Sequence, residues 1–208
     1  MGDALIFVDV ETTGLNVSDP VIEIGILPVD PYLQPLDPGW SSLVHTPPAV
    51  LSHLNDTVRE MHTTNGLLEE LAADDVPGVA AVMQNACAYL NQFGQPGELP
   101  MCGSSVHFDR KKLAQCLPAI EAWFHYRNVD VSTVKELWRR WYPTGGEPPK
   151  NGGHRALADC YDSVAELLWY KMRLQRIEPV AHRQGGQIGL AGTIKGLAKP
   201  VLPRLEEE

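Results

Sequence analysis

The stretch Ala4–Leu15, ALIFVDVETTGL, constrains the chain most, because it joins an apolar strand pattern to two acids. Leu5–Val8 predicts a buried strand, and Asp9 and Glu11 follow at its end. Residues i and i+2 of a strand share one face, so these carboxylates project together. Such a pair is unfavourable without a cation, and Mg²⁺ or Mn²⁺ prefer oxygen ligands. Taken alone, the pattern also fits a surface strand end with two solvated acids.

The composition predicts an ordinary globular protein. The chain has 208 residues, 44% of them apolar and 21% charged, and we expect one domain over residues 1–177 followed by a Gly- and Pro-rich C-terminal tail over 178–208. The apolar runs are too short for a membrane span, and the N-terminus lacks the basic region and cleavage site of a signal peptide. The absence of a Cys-x-x-Cys pair favours reduced thiols over a zinc site. We therefore expect a cytoplasmic protein with no membrane partner.

The charges are distributed unevenly along the chain. A net charge of −9 argues against a protein that holds long nucleic acid by general electrostatic attraction. Residues 1–104 contain one basic residue against 14 acids, whereas residues 105–176 contain 12 basic residues against 8 acids. The first half of the chain is thus suited to binding metal, and the second to binding phosphate.

The order of strand and helix patterns predicts an α/β domain on a mixed five-stranded sheet flanked by helices. Three strand patterns follow one another closely, which suggests an antiparallel meander, and the two later ones alternate with helices. The predicted strands are Leu5–Val8, Val21–Leu27, Trp40–Val44, Leu99–Cys102 and Val129–Val131. The predicted helices are Val79–Phe93, Asp109–Leu117, one that is capped by Ser132 or Thr133 and ends at Pro143, and Arg155–Arg176, with short helices between Ala49 and Leu71.

Three more residues with suitable chemistry lie near the ends of predicted elements. Asp109 begins a helix, His154 follows a Gly-rich loop, and Asp159 comes five residues later. Five residues correspond to roughly 140° beyond a full helical turn, so His154 and Asp159 can face one cleft only if His154 lies on the loop. Each also has a simple structural explanation. Asp109 can be a helix-start acid, His154 a cap or surface residue, and Asp159 the ion-pair partner of Arg155.

Together these residues resemble the DEDD exonucleases of the histidine subtype, whose fold is ribonuclease H-like. The shared order is Asp-x-Glu on a strand, an Asp about a hundred residues later, and His-x₄-Asp at the last helix. Within that group, the chain is similar to the oligoribonuclease family, whose members remove nucleotides from very short RNAs. The similarity covers roughly residues 4–175 and is carried by VDVETTGL, MCGSSVHFD, AWFHYRNVDVSTVKELWRRW and GGHRALADCYDSVAEL.

The resemblance implies a 3′-to-5′ exoribonuclease that degrades short single-stranded oligoribonucleotides to mononucleotides. In this reading Asp9, Glu11, Asp109 and Asp159 are the catalytic acids and bind two Mg²⁺ or Mn²⁺ ions. His154 is the general base that takes a proton from the attacking water.

The resemblance also implies substrate-binding residues. Leu15 matches a leucine that wedges between bases, and His62 matches a histidine of the substrate site. A cap for the 5′ phosphate would be built from serines and a Tyr-Arg pair, part of it donated by the partner subunit of a homodimer. The matching cap residues are Ser105, Tyr126, Arg127 and Ser132.

Two of these assignments have structural alternatives. The planar guanidinium of Arg127 suits a phosphate, but the same side chain could pair with Asp130. Trp123, Phe124 and Tyr126 could form the centre of a dimer interface or could fill the core of the monomer.

The chain departs from the family pattern at Thr57, where family members carry a tryptophan. An aromatic platform under a base is worth about 1–3 kcal/mol, so the preferred substrate length stays open. An exonuclease for single-stranded DNA, and a nucleotide-binding module without catalysis, also remain alternatives. The same four acids would serve either sugar, although the presence of all five chemical residues disfavours a silent module.

Overall fold

The computed structural model describes residues 3–149 and 153–176, and a five-stranded mixed sheet forms its centre. The strands are β1 (Leu5–Thr12), β2 (Val21–Val29), β3 (Trp40–Leu43), β4 (Pro100–Gly103) and β5 (His125–Asp130), in the spatial order β3-β2-β1-β4-β5. Strand β1 pairs antiparallel with β2 and parallel with β4. The prediction of an α/β fold on a mixed five-stranded sheet, of the ribonuclease H-like type, is confirmed.

Helices cover both faces of this sheet. They are α1 (Pro48–Leu51), α2 (Asp56–Thr64), α3 (Leu67–Glu70), α4 (Val79–Leu90), α5 (Val106–Cys116), α6 (Pro118–Trp123), α7 (Val131–Trp141) and α8 (Ala156–Arg176). Alternate residues of β1 belong to different cores. Ile6 and Val8 pack with residues of α4, α5 and α6, whereas Phe7 packs with residues of α7 and α8. Residues spaced by two from Phe7 therefore point towards α8.

Helix α8 approaches strand β2 at Gly25, which lies opposite Asp9 in the β1–β2 pairing. A Cβ atom added at Gly25 would lie 2.4 Å from the backbone nitrogen of Leu157 and 2.5 Å from the carbonyl carbon of Ala156. Two main chains can come this close only where one residue lacks a Cβ atom. The first turn of α8 is therefore held directly against the sheet.

Several element boundaries differ from the predicted ones; strand β1, for example, continues to Thr12 rather than ending at Val8. Strand β5 begins at His125 rather than Val129, because it is an edge strand whose exposed polar side chains give no apolar signal. Helix α5 begins at Val106, which places Asp109 in its first turn rather than at its start. Pro118 does not only end α5, since it also opens the short helix α6, where its missing N–H is not needed.

The cap of α7 also differs from the predicted one, and two aromatic residues lie in one of the two places considered for them. Helix α7 begins at Val131, and its N-cap is Asp130, so the predicted cap at Ser132 or Thr133 is wrong. Trp123 and Phe124 are buried in the core that packs on β1, which supports the monomer-core alternative for these two side chains.

The chain divides into two compact units, Met1–Lys171 and Met172–Glu208. The first contains the whole sheet, and the described part of the second is the end of α8. The domain boundary at residue 177 stays a prediction, and the predicted tail over 178–208 lies outside the described residues. Among the helices that the structure describes, none has the length and apolar character needed to cross a membrane.

Candidate active site

Asp9 and Glu11 lie near the C-terminal end of the central strand β1. The residue between them, Val10, packs in the core on the opposite face, so both carboxylates project towards α8. Across the β1–β2 pairing, Glu11 lies opposite Glu23, and both glutamates are buried. The strand therefore brings carboxylates together in a part of the protein from which water is largely excluded.

Helix α5 adds Asp109 to this group. Because β4 runs parallel to β1, the chain leaves β4 beside the end of β1 and enters α5 there. Asp109 is buried, and its Oδ1 atom accepts a hydrogen bond of 3.2 Å from the backbone nitrogen of Val10. That nitrogen lies between Asp9 and Glu11 in the chain, so the hydrogen bond fixes Asp109 next to both.

His154 and Asp159 enter the site at the start of α8. His154 precedes the helix with a φ of 47°, so it lies on the loop, as the sequence argument required. Its side chain is exposed, and its carbonyl oxygen accepts a hydrogen bond from the side-chain amide of Asn65. One ligand atom each from Glu11, His154 and Asp159 lie within 4.8 Å of one another. This spacing would allow the three residues to share a metal ion.

The ion pair considered for Asp159 and Arg155 is not formed. Arg155 instead pairs with Glu23 at 2.9 Å and with Glu70 at 2.8 Å. Glu23 also accepts a hydrogen bond of 3.1 Å from the backbone nitrogen of Ala156, the first residue of α8. Sequence reasoning missed Glu23, although an acid inside the otherwise apolar strand VIEIGIL was a signal for a buried polar role. It anchors the segment that carries His154 and Asp159.

The carboxylates of this cluster disfavour their own ionisation. Burial, followed by Asp109 and Asp159, raises the pKa of Asp9 well above its ordinary value. Burial and then Asp159 raise the pKa of Glu11 to about 8, and burial raises the pKa of Asp109 to about 7 and also raises that of Asp159. A divalent cation would compensate this crowding of negative charge, and oxygen ligands suit such an ion. The residues present thus fit a divalent metal site.

We expect the metal-free protein to become less stable between about pH 5 and pH 8. Glu11 and Asp109 keep their protons in the folded state up to a pKa of about 8 and about 7, whereas unfolded carboxylates lose them near ~4. The folded state binds more protons in this window, so its stability falls as pH rises. Melting in EDTA should give a Tm at pH 8 that is lower by at least about 3 °C, the shift for roughly 1 kcal/mol in a protein of this size.

Adding Mg²⁺ should raise the Tm more at pH 8 than at pH 5, because the ion binds the ionised carboxylates. A Tm that rises steadily with pH in EDTA would contradict the raised pKa values. If Mg²⁺ raised the Tm equally at both pH values, these acids would not be the groups that bind the ion.

His62 is fully buried beneath the acids. Its Nε2 atom lies 3.2 Å from the carbonyl oxygen of Thr12 and 3.9 Å from Glu11, and its Nδ1 atom has no hydrogen-bond partner among the residues described. Burial lowers the pKa of His62, which favours the neutral ring with the proton on Nε2, since a carbonyl can only accept. The predicted role of His62 in binding substrate stays a prediction.

A cavity of about 570 Å³ connects two of the acids with two of the predicted cap residues. The residues lining it include Asp9, His154 and Asp159, together with Ser105 and Ser132. The structure thus brings together in one concave surface residues that are more than 140 positions apart in the chain. The cavity is large enough for a small polar ligand.

The two serines are held in position by Asp130. Its Oδ1 atom accepts hydrogen bonds from the backbone nitrogens of Ser105 at 3.0 Å and Ser132 at 2.9 Å, and the two serine hydroxyls lie 3.1 Å apart. Asp130 is therefore engaged here rather than with Arg127, the alternative considered from the sequence. Ser105 also has a φ of 56°, which a residue other than glycine seldom adopts. The pair presents two hydroxyl groups that can donate to an anionic oxygen.

The other predicted substrate residues are exposed. The side chains of Leu15 and Tyr126 are 85% and 75% exposed. The guanidinium carbon of Arg127 lies 5.5 Å from the centre of the Tyr126 ring, and both residues belong to the edge strand β5. Neither lines the cavity that holds the acids of the same chain. Thr57 lines a second cavity of about 430 Å³, to which His154 also contributes.

The chain is similar to an exonuclease family model and to oligoribonucleases. The family model RNase_T, described as Exonuclease, matches residues 6–167. The chain is 42% identical to the oligoribonuclease of Streptomyces avermitilis over 207 residues, which are 98% of this chain and 99% of that one. It is 42% identical to the oligoribonuclease of Leifsonia xyli over 184 residues, 85% of this chain and 86% of that one.

Solved structures of exonuclease I share the fold. The structure of E. coli exonuclease I in complex with a 5cy-dT13 oligonucleotide matches with a TM-score of 0.60 at 17% identity, over 85% of this chain and 42% of that chain. Exonuclease I from Methylocaldum szegediense matches with a TM-score of 0.59 at 18% identity, over 84% and 41% of the two chains. This chain therefore spans less than half of either structure, and the likeness concerns the fold alone. The full-length similarity to the curated relatives is what assigns the chain, and it belongs to the oligoribonuclease family.

Proposed function

We propose that this protein is a 3′-to-5′ exoribonuclease that degrades short single-stranded RNA to mononucleotides. The observation that carries the proposal is the cavity lined by the half-buried acids Asp9 and Asp159, the exposed base candidate His154 and the serine pair Ser105 and Ser132. Membership of the oligoribonuclease family supports the same reaction. A single concave site thus offers groups for metal, water and phosphate.

Asp9, Glu11, Asp109 and Asp159 would hold two divalent ions, Mg²⁺ or Mn²⁺. Bound there, the ions would supply an activated water and stabilise negative charge on the leaving oxygen. The protein's own contribution is to fix the four carboxylates from three elements, β1, α5 and α8. The hydrogen bond from Val10 and the contacts of Glu23 with α8 keep these elements in register before any ion binds.

His154 is the general base in this proposal. An imidazole is the side chain that changes charge near neutral pH, and His154 is exposed at the mouth of the acid cluster. Its carbonyl is held by Asn65, while its side chain stays free to turn towards a water in the cavity. Proton transfer from water to His154 would leave a hydroxide positioned for attack on the terminal phosphodiester.

The other end of the substrate would be bound through its 5′ phosphate. Ser105 and Ser132 would donate their hydroxyls to the phosphate oxygens, and Arg127 would add a planar, bidentate cation. We assign Arg127 and Tyr126 to the site of a partner subunit, as the family resemblance implies, and neither residue lines the cavity of its own chain. Leu15 and His62 complete the proposed substrate-binding residues near the bases, Leu15 from an exposed position and His62 from a buried one beneath the acids.

Short substrates suit this charge distribution. With a net charge of −9, the chain lacks the general basic surface that holds long nucleic acid. Binding would therefore depend on the metal site at one end and the cap at the other. We also propose a cytoplasmic location, which agrees with the four cysteines all being free thiols.

A length series tests the proposal. With 5′-labelled RNAs from dinucleotides to strands of about 20 nucleotides, we expect the rate with Mg²⁺ to be highest on the shortest and to fall by at least about tenfold on the longest. Equal rates at all lengths would remove the short-substrate assignment. A matched DNA series decides between RNA and DNA, and tight binding without nucleotide release would indicate a silent module.

Mixing two inactive variants tests the shared site. If Arg127 acts in the partner's cavity, a mixed dimer of Asp109→Asn and Arg127→Ala chains has one cavity with both groups intact. Random exchange should restore about a quarter of the wild-type sites. As a control, Asp9→Asn mixed with Asp109→Asn should restore nothing. A fully active monomer in sedimentation, or confirmed subunit exchange without recovery, would place Arg127 outside the neighbouring site.

A further inference from the structure

Lys112 is a fully buried lysine next to the candidate active site. It lies on α5, and only 1% of its surface is exposed. Its Nζ atom donates hydrogen bonds to the carbonyl oxygens of Gly14 at 2.8 Å and Asp19 at 3.0 Å, and also to that of Asn16. All three carbonyls belong to the turn between β1 and β2, and the reaction proposed above does not use Lys112.

Burying an ammonium group is unfavourable unless its hydrogen bonds are replaced. Lys112 meets this condition fully, since an ammonium has three N–H donors and the turn provides three carbonyl acceptors. The ring of Phe108 lies beneath the same nitrogen at 5.4 Å. The cation is thus enclosed in a site formed by the protein itself, with no contact to solvent.

The turn held by Lys112 is also closed from its outer side. The Oδ2 atom of Asp19 accepts hydrogen bonds from the backbone nitrogen of Asn16 at 2.8 Å and from its side-chain amide at 3.1 Å. The backbone nitrogen of Thr13 donates to the carbonyl oxygen of Pro20 at 3.0 Å. The backbone on both sides of Leu15 is therefore fixed, whereas the Leu15 side chain is 85% exposed.

Lys112 also connects this turn to the acid cluster. It follows Asp109 by three residues, so the two side chains lie on neighbouring positions of one helix face. Asp109 is bonded to β1 through Val10, and Lys112 is bonded to the turn that follows β1. One helix therefore sets the position of Leu15 relative to a metal-binding acid.

We propose that Lys112 is a positioning residue for substrate binding, whose ammonium holds the turn so that Leu15 is presented to the terminal bases at a fixed distance from the acids. This inference rests on the proposed function, in which Leu15 contacts the bases. A side chain held in its bound position loses less conformational freedom when the substrate arrives. Lys112 should then affect binding and leave the chemical step unchanged.

A double-mutant cycle tests the inference on a 5′-phosphorylated diribonucleotide. Lys112→Met keeps the unbranched shape and removes the donors, and we expect it to raise KM by about tenfold, the lower range for losing one base contact, with kcat changed less than about twofold. Leu15→Ala should raise KM similarly. The KM of the double variant should be no higher than that of Leu15→Ala alone, because Lys112 acts through Leu15.

Lys111→Met is the matched control, since it removes the same charge at the neighbouring exposed position, and its KM should equal that of the wild type. If the increases in KM caused by Lys112→Met and Leu15→Ala multiply in the double variant, the inference is overturned. A fall in kcat at unchanged KM would overturn it as well. An inactive wild type on this substrate would instead reject the proposed function.

A measurement on the wild-type protein covers the case in which Lys112→Met does not fold. Hydrogen exchange should show the amides of Thr13, Asn16 and Asp19 protected, because each donates to a partner within the held turn. Exchange of these three amides at the rate of an unstructured chain would show that the turn is not fixed, and would overturn the inference.

Discussion

Asp109→Asn is expected to lower turnover on a diribonucleotide by about a thousandfold or more, since each loss of 1.36 kcal/mol of charge stabilisation is tenfold in rate. The substitution keeps the shape of the side chain, and its oxygen can still accept the hydrogen bond from Val10. The change therefore removes the charge that we propose to bind metal and keeps the hydrogen bond that positions the side chain. Steady-state kinetics at saturating Mg²⁺ measure the loss.

The fold should survive this change. Burial raises the pKa of Asp109 to about 7, so its ionised form is unfavourable in the metal-free protein. Removing that charge should leave the Tm in EDTA level or higher. Asp162→Asn is the matched control, because Asp162 lines the cavity together with Asp9 and Asp159 without belonging to the assigned acids, and it should keep most of the turnover. An active Asp109→Asn protein would exclude Asp109 from the metal site.

His154→Ala is expected to reduce kcat by about a hundredfold to ten-thousandfold, the usual contribution of a general base. If the imidazole acts only on water, added imidazole should restore part of the activity, and Mn²⁺ titration should give an affinity near that of the wild type. His53→Ala, at an exposed histidine away from the cavity, should change neither quantity.

The alternative role for His154 is that of a metal ligand. Its ring lies within the same 4.8 Å group as oxygens of Glu11 and Asp159, a spacing that would also suit a metal ligand. A clear loss of Mn²⁺ affinity in His154→Ala, without rescue by imidazole, would identify His154 as a ligand. Normal affinity together with rescue would identify it as the base.

The parts of the site that follow a local rule could be predicted from the sequence. The two-residue period of a strand places Asp9 and Glu11 on one face, and the Gly-rich sequence before His154 favours a loop position, which its φ of 47° confirms. The sheet could also be predicted, because its central strands are apolar runs in the sequence. Strand β5 was placed too late because an edge strand with exposed side chains lacks that pattern.

The parts that depend on long-range contacts could not be predicted. Arg155 pairs with Glu23, which is 132 residues away, and with Glu70, rather than with the nearby Asp159. Lys112 reaches carbonyl oxygens up to 98 residues away, and no property of its sequence neighbours indicates burial of its charge. Asp130 binds two serines that only the pairing of β4 and β5 brings together. Such contacts are determined by the topology of the sheet.

If the acids bind the proposed ions, the close contact at Gly25 would affect which ions they select. Asp9 lies opposite Gly25, and the first turn of α8, which carries Asp159, packs on that glycine. A methyl group there would have to move α8 by about 1 Å to convert the 2.4 Å contact into an ordinary one of 3.4 Å. Oxygen ligands lie at about 2.0–2.1 Å from Mg²⁺ and at about 2.3–2.6 Å from Ca²⁺. The discrimination between small and large divalent ions would thus depend on a residue that has no ligand atom, and side chains of graded size at position 25 would shift the preference towards larger ions without altering any acid.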